Sequence, residues 1–578
     1  MQKAIPRRYL FVLLLAMAAV LPIALLRRVR AVTVIPAVTT YHNDNARTGL
    51  NSQETILTPS NIQNHQFGKL FSQGVDANIF AQPLYVPNLA ISGQGTHNVV
   101  FVATENDTVY AFDADTQMAA LWHANLLDAA HGGVAGEIPM GPLDLGPIPQ
   151  IAEPPYLTAA YWTLHTIGSE IGITSTPVID LTTNRMYVET KSKQPNNGNP
   201  IFVHRLHAID ITTGNDIARV NITAPNFSPL SQLQRSALLL SNGTIFVAFG
   251  SHSDFPGYNG WLFAYNAATL APAGVLNITP GGSAGSIWMS GNGPAADTNG
   301  NLYLATANGT FDTTLNGQGF PQWGDFGDSF LKISPSTGSL FPIDYFTTNN
   351  QNYLNGNDLD VGAGGILLLP DQPVANPHLL VQSGKDGTIY LINRDQMTTL
   401  NRHYCPSCGP LDSQIVQELY MVLGNNGTTG SHNDYYGSPV YWNNSVYFWG
   451  VNDTLKQYSL TNGLLSASPT RVSSDTYSPT TYTYPDGATE TNFAGGHMSV
   501  SSNGTQNGIV WSLSSQIYEL TGSLILRAHD ANTLALLYSS DGINSDDAGP
   551  AVKFATPTVV NGKVYVGAGG QLTVFGRF

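Results

Sequence analysis

Charge is scarce in this chain: 11% of its 578 residues are charged, and the formal net charge is −15. The residues whose types suit chemistry are therefore few. Cys405 and Cys408 in YCPSCGP are the only cysteines. Two thiolates are half of a tetrahedral metal set, with His403 able to add a ligand, whereas outside the cytoplasm the same pair reads as a short disulfide. Glu170, Arg235, His432, Asp434, His497 and Lys553 each stand just ahead of an apolar, strand-like run. Groups of these kinds converging in loops make a binding funnel, though such loops are often simply polar. No HExxH, P-loop or C-x-x-C-H is present, which removes those zinc-protease and nucleotide motifs and a covalent c-type haem. The acidic balance excludes nucleic acid as a partner, because affinity for a phosphate backbone comes from Lys and Arg releasing counterions.

A repeat must hold these residues. TVYAFDADTQMAALW at 108 returns as HAIDITTGNDIARV at 207, LKISPSTGSLFPI at 331, KQYSLTNGLLSAS at 456 and RAHDANTLALLYSS at 527. Gly, Asn, Ser and Thr are abundant while Lys and Glu are scarce, the composition of a turn-rich β protein. Each unit reads as four strands. QPLYVPN, NVVFVATEN, TVYAFDAD and ALWHANL make the first, and GSPVYWN, SVYFWGV, TLKQYSL and LLSASPT make the sixth. The eighth unit, ATPTVVN, KVYVGAG and QLTVFGRF, stops one strand short, and GKLFSQGVD at 68–76 has the length and alternation of the missing strand. These units predict an all-β, eight-bladed β-propeller over residues 67–578, with four-stranded blades and a ring closed by an N-terminal strand that completes the last blade. In AFDADT, AIDITTG and KISPSTG the Asp or Ser caps the turn and the Gly takes positive φ. The N-x-S/T matches at Asn106, Asn242, Asn308, Asn452 and Asn503 mostly fall in such turns and read as turn residues.

At the N-terminus, Lys3, Arg7 and Arg8 precede an apolar run from Leu10 to Leu26. Residues 1–31 read as an export signal cleaved after Val29-Arg30-Ala31, or as a retained anchor through residues 10–26, a run at the lower limit for spanning a bilayer. Arginines at 27, 28 and 30 weaken the first reading by balancing the charge in front. Either way the body is exported, periplasmic or extracellular, and in the second case tethered to the membrane. Residues 32–66 form a polar N-terminal arm with no sustained period.

The strand followed by A-x-D-x-x-T-G, with Trp in the outer strand, resembles the blade repeat of the pyrroloquinoline quinone (PQQ) propellers. That superfamily contains eight-bladed quinoprotein alcohol dehydrogenases and also non-catalytic outer-membrane assembly lipoproteins, so the repeat implies fold more than chemistry. A dehydrogenase site needs a flat aromatic under the quinone, a hard cation with oxygen ligands, a carboxylate to take the alcohol proton and a cationic donor near the quinone oxygens. GSAGSIWMSGNG resembles the segment whose Trp floors the quinone, which implies Trp288. NLYLATANGTFD resembles the segment whose Asn binds calcium, which implies Asn308. NDLDVGAGGILLLP resembles the segment of the catalytic, metal-side Asp, which implies Asp360 with Asp358 beside it, and GKDGTIYLINR implies Lys385 as the basic contact. The family's adjacent Cys-Cys pair is absent. Its calcium-binding Glu has no counterpart, since Glu189 in ETKSKQPNNGN lies in different surroundings. Structural roles are open to the same residues: Trp288 filling the channel, Asp358 and Asp360 capping a tight turn, Lys385 a solvated hairpin lysine. Two functions follow. The missing Glu and Cys-Cys favour an exported, monomeric binding scaffold whose axial loop face takes a small molecule or an envelope protein. The four matches favour a PQQ- and calcium-dependent dehydrogenase of an alcohol or sugar.

Overall fold

Alternating apolar residues make each repeat unit an antiparallel sheet that buries both faces against its neighbours. The computed structural model describes residues 35–63, 66–146, 170–252, 254–335, 340–424, 435–476, 481–483, 489–491, 496–515 and 522–578, of which all but Ile35 belong to the unit Pro36–Phe578. Eight sheets of antiparallel strands follow one another in chain order as the blades of a propeller. In blade one the strands, from the axis outward, are Leu84–Ile91, Gly95–Ala103, Thr108–Asp113 and Trp122–Asn125. Blade eight has Thr558–Val560, Lys563–Ala568 and Gln571–Arg577 from the C-terminus, and its outer strand is Phe67–Gly74, paired from Phe67↔Arg577 to Gly74↔Gln571. The ring thus closes by pairing the two ends of the propeller. Blade six departs from the sequence expectation. Its outer position over LLSASPT is split between Leu464–Leu465 and a longer strand, Arg471–Thr476, both on Thr454–Thr461, with Pro469, which has no N–H to give a ladder, between them. Residues 1–31, expected to be an export signal or an anchor, lie outside the described residues, and no helix among the described residues is long and apolar enough to cross a membrane.

The repeated turn also ties blades together. Asp210 Oδ1 accepts the Thr212 N–H at 2.7 Å, and Gly214 takes φ +78°. A Cβ on Gly214 would meet the Trp122 ring at 2.7 Å, while Trp122 Nε1 donates to the Ile211 carbonyl at 2.9 Å. The outer-strand Trp of blade one therefore docks on the turn of blade two, which is why the turn needs Gly and the strand Trp.

The arm that carried no period in sequence turns out to run inside the ring. Val38 exchanges both backbone hydrogen bonds with Tyr85 of blade one; the carbonyls of Thr39, Asn45, Ala46, Thr48 and Gly49 accept from Ile179, Ala296, Leu368, Tyr441 and Val500; and the side chains of Asn45 and Asn51 donate to the Leu240 and Val559 carbonyls. The arm thereby touches the innermost strand of every blade from one to eight. Such a path has no period because each residue faces a different blade. At its centre Arg47 is fully buried, donating to Thr40 Oγ1 at 2.7 Å and to the carbonyls of Tyr41, Pro294 and Leu238 at 2.9 to 3.2 Å. Burial lowers its pKa to about 10, against the Asp44 carboxylate that raises it. Arg47→Met keeps the volume but leaves those carbonyls unpaired, and we expect a loss of about 3 kcal/mol or more in chemical denaturation; an unchanged midpoint would contradict this role.

Blade five carries an insertion between its third strand, Ile389–Asn393, and its fourth, Gln417–Leu419. Here Cys405 and Cys408 are joined in a disulfide, and His403 Nδ1 donates to the Tyr345 carbonyl at 2.8 Å, so the three form no metal site. Asp412 accepts the Asn349 N–H on both oxygens, and its own N–H donates to Glu418 Oε2. Burial pushes Asp412 up to about 6 and Glu418 up to about 7. Because both are raised in the folded state, the stability they contribute is present in full below the ordinary carboxylate range and is lost as pH climbs toward 7. Glu418→Gln should flatten the fall in melting temperature between pH 5 and 8; a slope equal to that of the unaltered protein would count against it.

Candidate functional site

In each blade the link entering the inner strand and the turn between the second and third strands lie at the same end of the ring. Trp288 enters blade four and Asn308 follows its second strand; Asp358 and Asp360 enter blade five and Lys385 follows its second strand. The topology therefore gathers all five at one mouth of the axial channel. Lys385 is the hub. Its Nζ lies 2.7 Å from Asp360 Oδ2 and 2.9 Å from Asp358 Oδ1, and 5.9 Å from the centre of the Trp288 ring. Asp360 Oδ1 accepts the Asn308 N–H at 2.8 Å, and Asn308 Nδ2 donates to Asp358 Oδ1 at 2.9 Å. Asn308 Oδ1 is buried with no hydrogen-bond partner. Lys385 and Asp360 are buried, whereas Asp358 is exposed.

The electrostatics follow from that burial. Loss of solvent pushes Asp360 up to about 6, against the pull of the Lys385 ammonium. Burial alone would lower Lys385, but Asp360 outweighs it and holds the ammonium well above the ordinary lysine range. Asp360 is thus a buried carboxylate poised nearer neutrality than a solvated one, beside a fixed positive charge. Beneath the pair, Asp328 accepts the Val361 N–H at 3.1 Å and fixes the turn that aims Asp360.

Trp288 is half-buried and begins a strained stretch: Met289, Ser290 and Gly291 take φ of +39°, +48° and +93°. Non-glycine residues there cost free energy, and the Ser290 hydroxyl, donating to the Ala363 carbonyl at 2.7 Å, helps to hold the bend. Tyr436 and Phe554 flank the indole, each with ring centres 6.0 Å away, and Phe554 itself sits at φ +62°. Both rings escaped the sequence reading; the signal was an aromatic shortly before the small residues that open an inner strand, as in YYGSP and KFATP.

Of the proposed funnel, Arg235, His497 and Lys553 reach the same mouth. Arg235 lies 5.6 Å from the Phe554 ring centre and 5.9 Å from that of Phe80, and donates to the carbonyls of Thr174 and Lys553. His497 packs on Phe554 at 5.3 Å and is fully buried, which lowers its pKa to about 3 and keeps it neutral. Glu170 enters blade two, half-buried. His432 and Asp434 lie outside the described residues. A second polar group, in blades two and three, was missed apart from Glu189. Lys191 Nζ contacts His252 Nε2 and the Gln232 carbonyl, both at 2.5 Å, and burial lowers its pKa to about 7. Glu189 is tied to His204 Nδ1 at 2.6 Å. Its signal was charge inside an apolar strand, RMYVETK.

The donor set can be weighed against the implied groups. For a planar polyanion the fit is partial: a half-buried indole with aromatic neighbours, and two cations, Lys385 and Arg235, of which Lys385 is already paired with Asp358 and Asp360. For calcium it is also partial. Asn308 Oδ1 is a hard oxygen without a partner, but the described residues hold no cluster of three His, Cys, Asp or Glu able to bind a metal.

No protein-family model matches this sequence, and no curated protein matches it. Among solved structures the chain is similar to the quinohemoprotein alcohol dehydrogenase ADHIIG of Pseudomonas putida HK5, with TM-score 0.57 and 13% identity over 94% of this chain and 80% of that one. It is similar to the quinohemoprotein alcohol dehydrogenase of Comamonas testosteroni, with TM-score 0.55 and 12% identity over 95% and 81%. A europium-containing methanol dehydrogenase gives TM-score 0.54 and 13% identity over 94% and 98%. The likeness spans nearly the whole chain at an identity that speaks for architecture alone: this chain has the PQQ-like, eight-bladed propeller fold of the quinoprotein alcohol dehydrogenases.

Proposed function

We propose that the axial mouth binds a cofactor of the pyrroloquinoline quinone class and that the protein oxidises the hydroxyl of an alcohol or sugar. The observation that carries this reading is the convergence of Trp288, Lys385, Asp360 and Asn308 on neighbouring blades, in an arrangement suited to a planar, anionic ring beside a buried carboxylate. When bound, the quinone supplies the two-electron acceptor. Trp288 would stack on it, Lys385 and Arg235 would offset its negative charge, and where calcium accompanies it Asn308 Oδ1 and the Asp360 carboxylate are the oxygens this chain offers. Asp360 takes the hydroxyl proton, because it is within reach of the mouth, is partly desolvated and is kept in register by the Asn308 N–H and the Lys385 ammonium. Tyr436 and Phe554, which flank the indole, would exclude water from the ring stacked on it. The same proposal includes export through residues 1–31 and action as a monomer; N-terminal sequencing of the mature protein and its sedimentation mass check these two points.

Titration of the purified protein with PQQ, with and without calcium, tests the reading through quenching of tryptophan fluorescence and dye-linked alcohol oxidation. Saturable quenching is expected, with Trp288→Ala weakening cofactor binding by at least about tenfold, the share of one lost aromatic contact. A second reading, a cofactor-free scaffold that binds a small molecule or an envelope protein at this mouth, is favoured by one observation: Glu189 is buried with its Oε1 tied to His204 Nδ1, and that burial holds its carboxyl well above the ordinary range, which disfavours the charged form a calcium ligand needs. Absence of quenching at high micromolar PQQ would select that reading.

A further inference from the structure

The links at the opposite end of the ring from Lys385 join first to second and third to fourth strands. Between blades five and six these links enclose a cleft of about 460 Å³, within the range of small-molecule pockets. Its lips are the link after Leu367–Leu368 in blade five and the tight turn after Thr454–Thr461 in blade six. They are pinched together at Gly463, where φ is +73° and a Cβ would stand 2.8 Å from Val374 Cγ2.

The lining is chemically narrow. None of the residues lining the cleft is charged. Asn376, Asn393, Gln396, Gln414 and Asn462 present primary amides, and Thr398 adds a hydroxyl, with Met397, Ile415 and Leu464 between them. Gln414 is the decisive member. Its side chain is buried, its Nε2 is held by Asp412 Oδ1 at 2.8 Å, and its Oε1 has no hydrogen-bond partner. An acceptor buried without a partner beside a cleft costs free energy unless the wall shifts to let a ligand or water satisfy it.

We infer that this cleft is a binding site for a neutral saccharide, separate from the axial mouth. A charged ligand would give up hydration there without a counter-charge. Primary amides offer a carbonyl and two N–H donors each, the pairing that neighbouring sugar hydroxyls require, and the apolar residues between them suit the C–H faces of a sugar ring. A peptide strand would need free backbone donors at the rim. Those of Thr399, Val374 and Leu465 are already given to the Gln414 carbonyl, the Gln372 carbonyl and Gln417 Oε1.

The test is saturation-transfer NMR and calorimetry on the full chain without added cofactor, using maltose, cellobiose, glucuronate and a blocked alanine tripeptide. Maltose or cellobiose should bind saturably and glucuronate at least about tenfold more weakly. Asn376→Ala and Gln396→Ala, both at exposed positions, should each weaken the neutral sugar by about threefold to tenfold while the melting temperature stays put, the share of one hydrogen bond. Saturable binding of the tripeptide alone, equal binding of glucuronate, no binding of any sugar, or sugar binding unchanged in both variants would each overturn the inference. Repeating the titration in Trp288→Ala separates this site from the axial one: sugar binding persists there if the cleft is its seat and is lost if the mouth is.

Discussion

On the proposed function, Asp360→Asn should lower kcat/KM for alcohol oxidation by about a hundredfold to ten-thousandfold, the contribution of a positioned general base. Asn is close to Asp in shape, and its side-chain oxygen can still accept the Asn308 N–H that now lies 2.8 Å from Asp360 Oδ1. What it loses is the charge. A neutral amide takes no proton from a hydroxyl and no longer offers a carboxylate to Lys385 Nζ, now 2.7 Å from Oδ2. Lys385 keeps Asp358 at 2.9 Å, so the ammonium is not left buried alone. The damage should therefore fall on turnover and spare the fold, with PQQ quenching still saturating through Trp288. Quenching intact and kcat lost marks Asp360 as the base. Quenching lost together with the melting temperature would mean that the residue only builds the turn, and turnover unchanged would remove it from the chemistry.

Deleting Phe67–Gly74 abolishes cooperative folding of the propeller, and Phe67→Ala alone costs about 3–5 kcal/mol. The strand completes blade eight from the far end of the chain, so without it Gln571–Arg577 becomes an open edge and the last blade is one strand short. Phe67 is buried between blades seven and eight, with ring centres 5.4 Å from Trp511, 4.9 Å from Tyr538 and 6.4 Å from Phe575. A smaller side chain leaves a cavity in a cluster that Leu57, Ile62 and Phe80 join with the residues of the two blades. Against a total stability of roughly 5–15 kcal/mol for a folded protein, this is a large fraction. Urea denaturation of Phe67→Ala and circular dichroism of the deletion check both parts; a deletion that retained a sharp transition would show that the arm alone can hold the ring.

By itself the sequence determined the blades. Their alternation and the polar turn between third and fourth strands recur from unit to unit, so the count of units and the missing strand at 68–76 could be read before any coordinates, because repeats express local rules. Four residues of the mouth were legible only through resemblance, and that resemblance says which segments matter, not how they meet. Tertiary structure decided the rest. Whether Lys385 is a solvated hairpin lysine or a buried hub depends on the link that enters blade five folding against the turn after its second strand, so that Asp358 and Asp360 meet the ammonium, which no local pattern encodes. Tyr436 and Phe554 join Trp288 from blades six and eight, far away in the chain. The arm at 36–54 looked formless because its partner changes with every residue or two, and a period needs a constant partner. The cleft of amides between blades five and six was equally silent, since Asn376, Gln414 and Asn462 become neighbours only when two blades pack side by side.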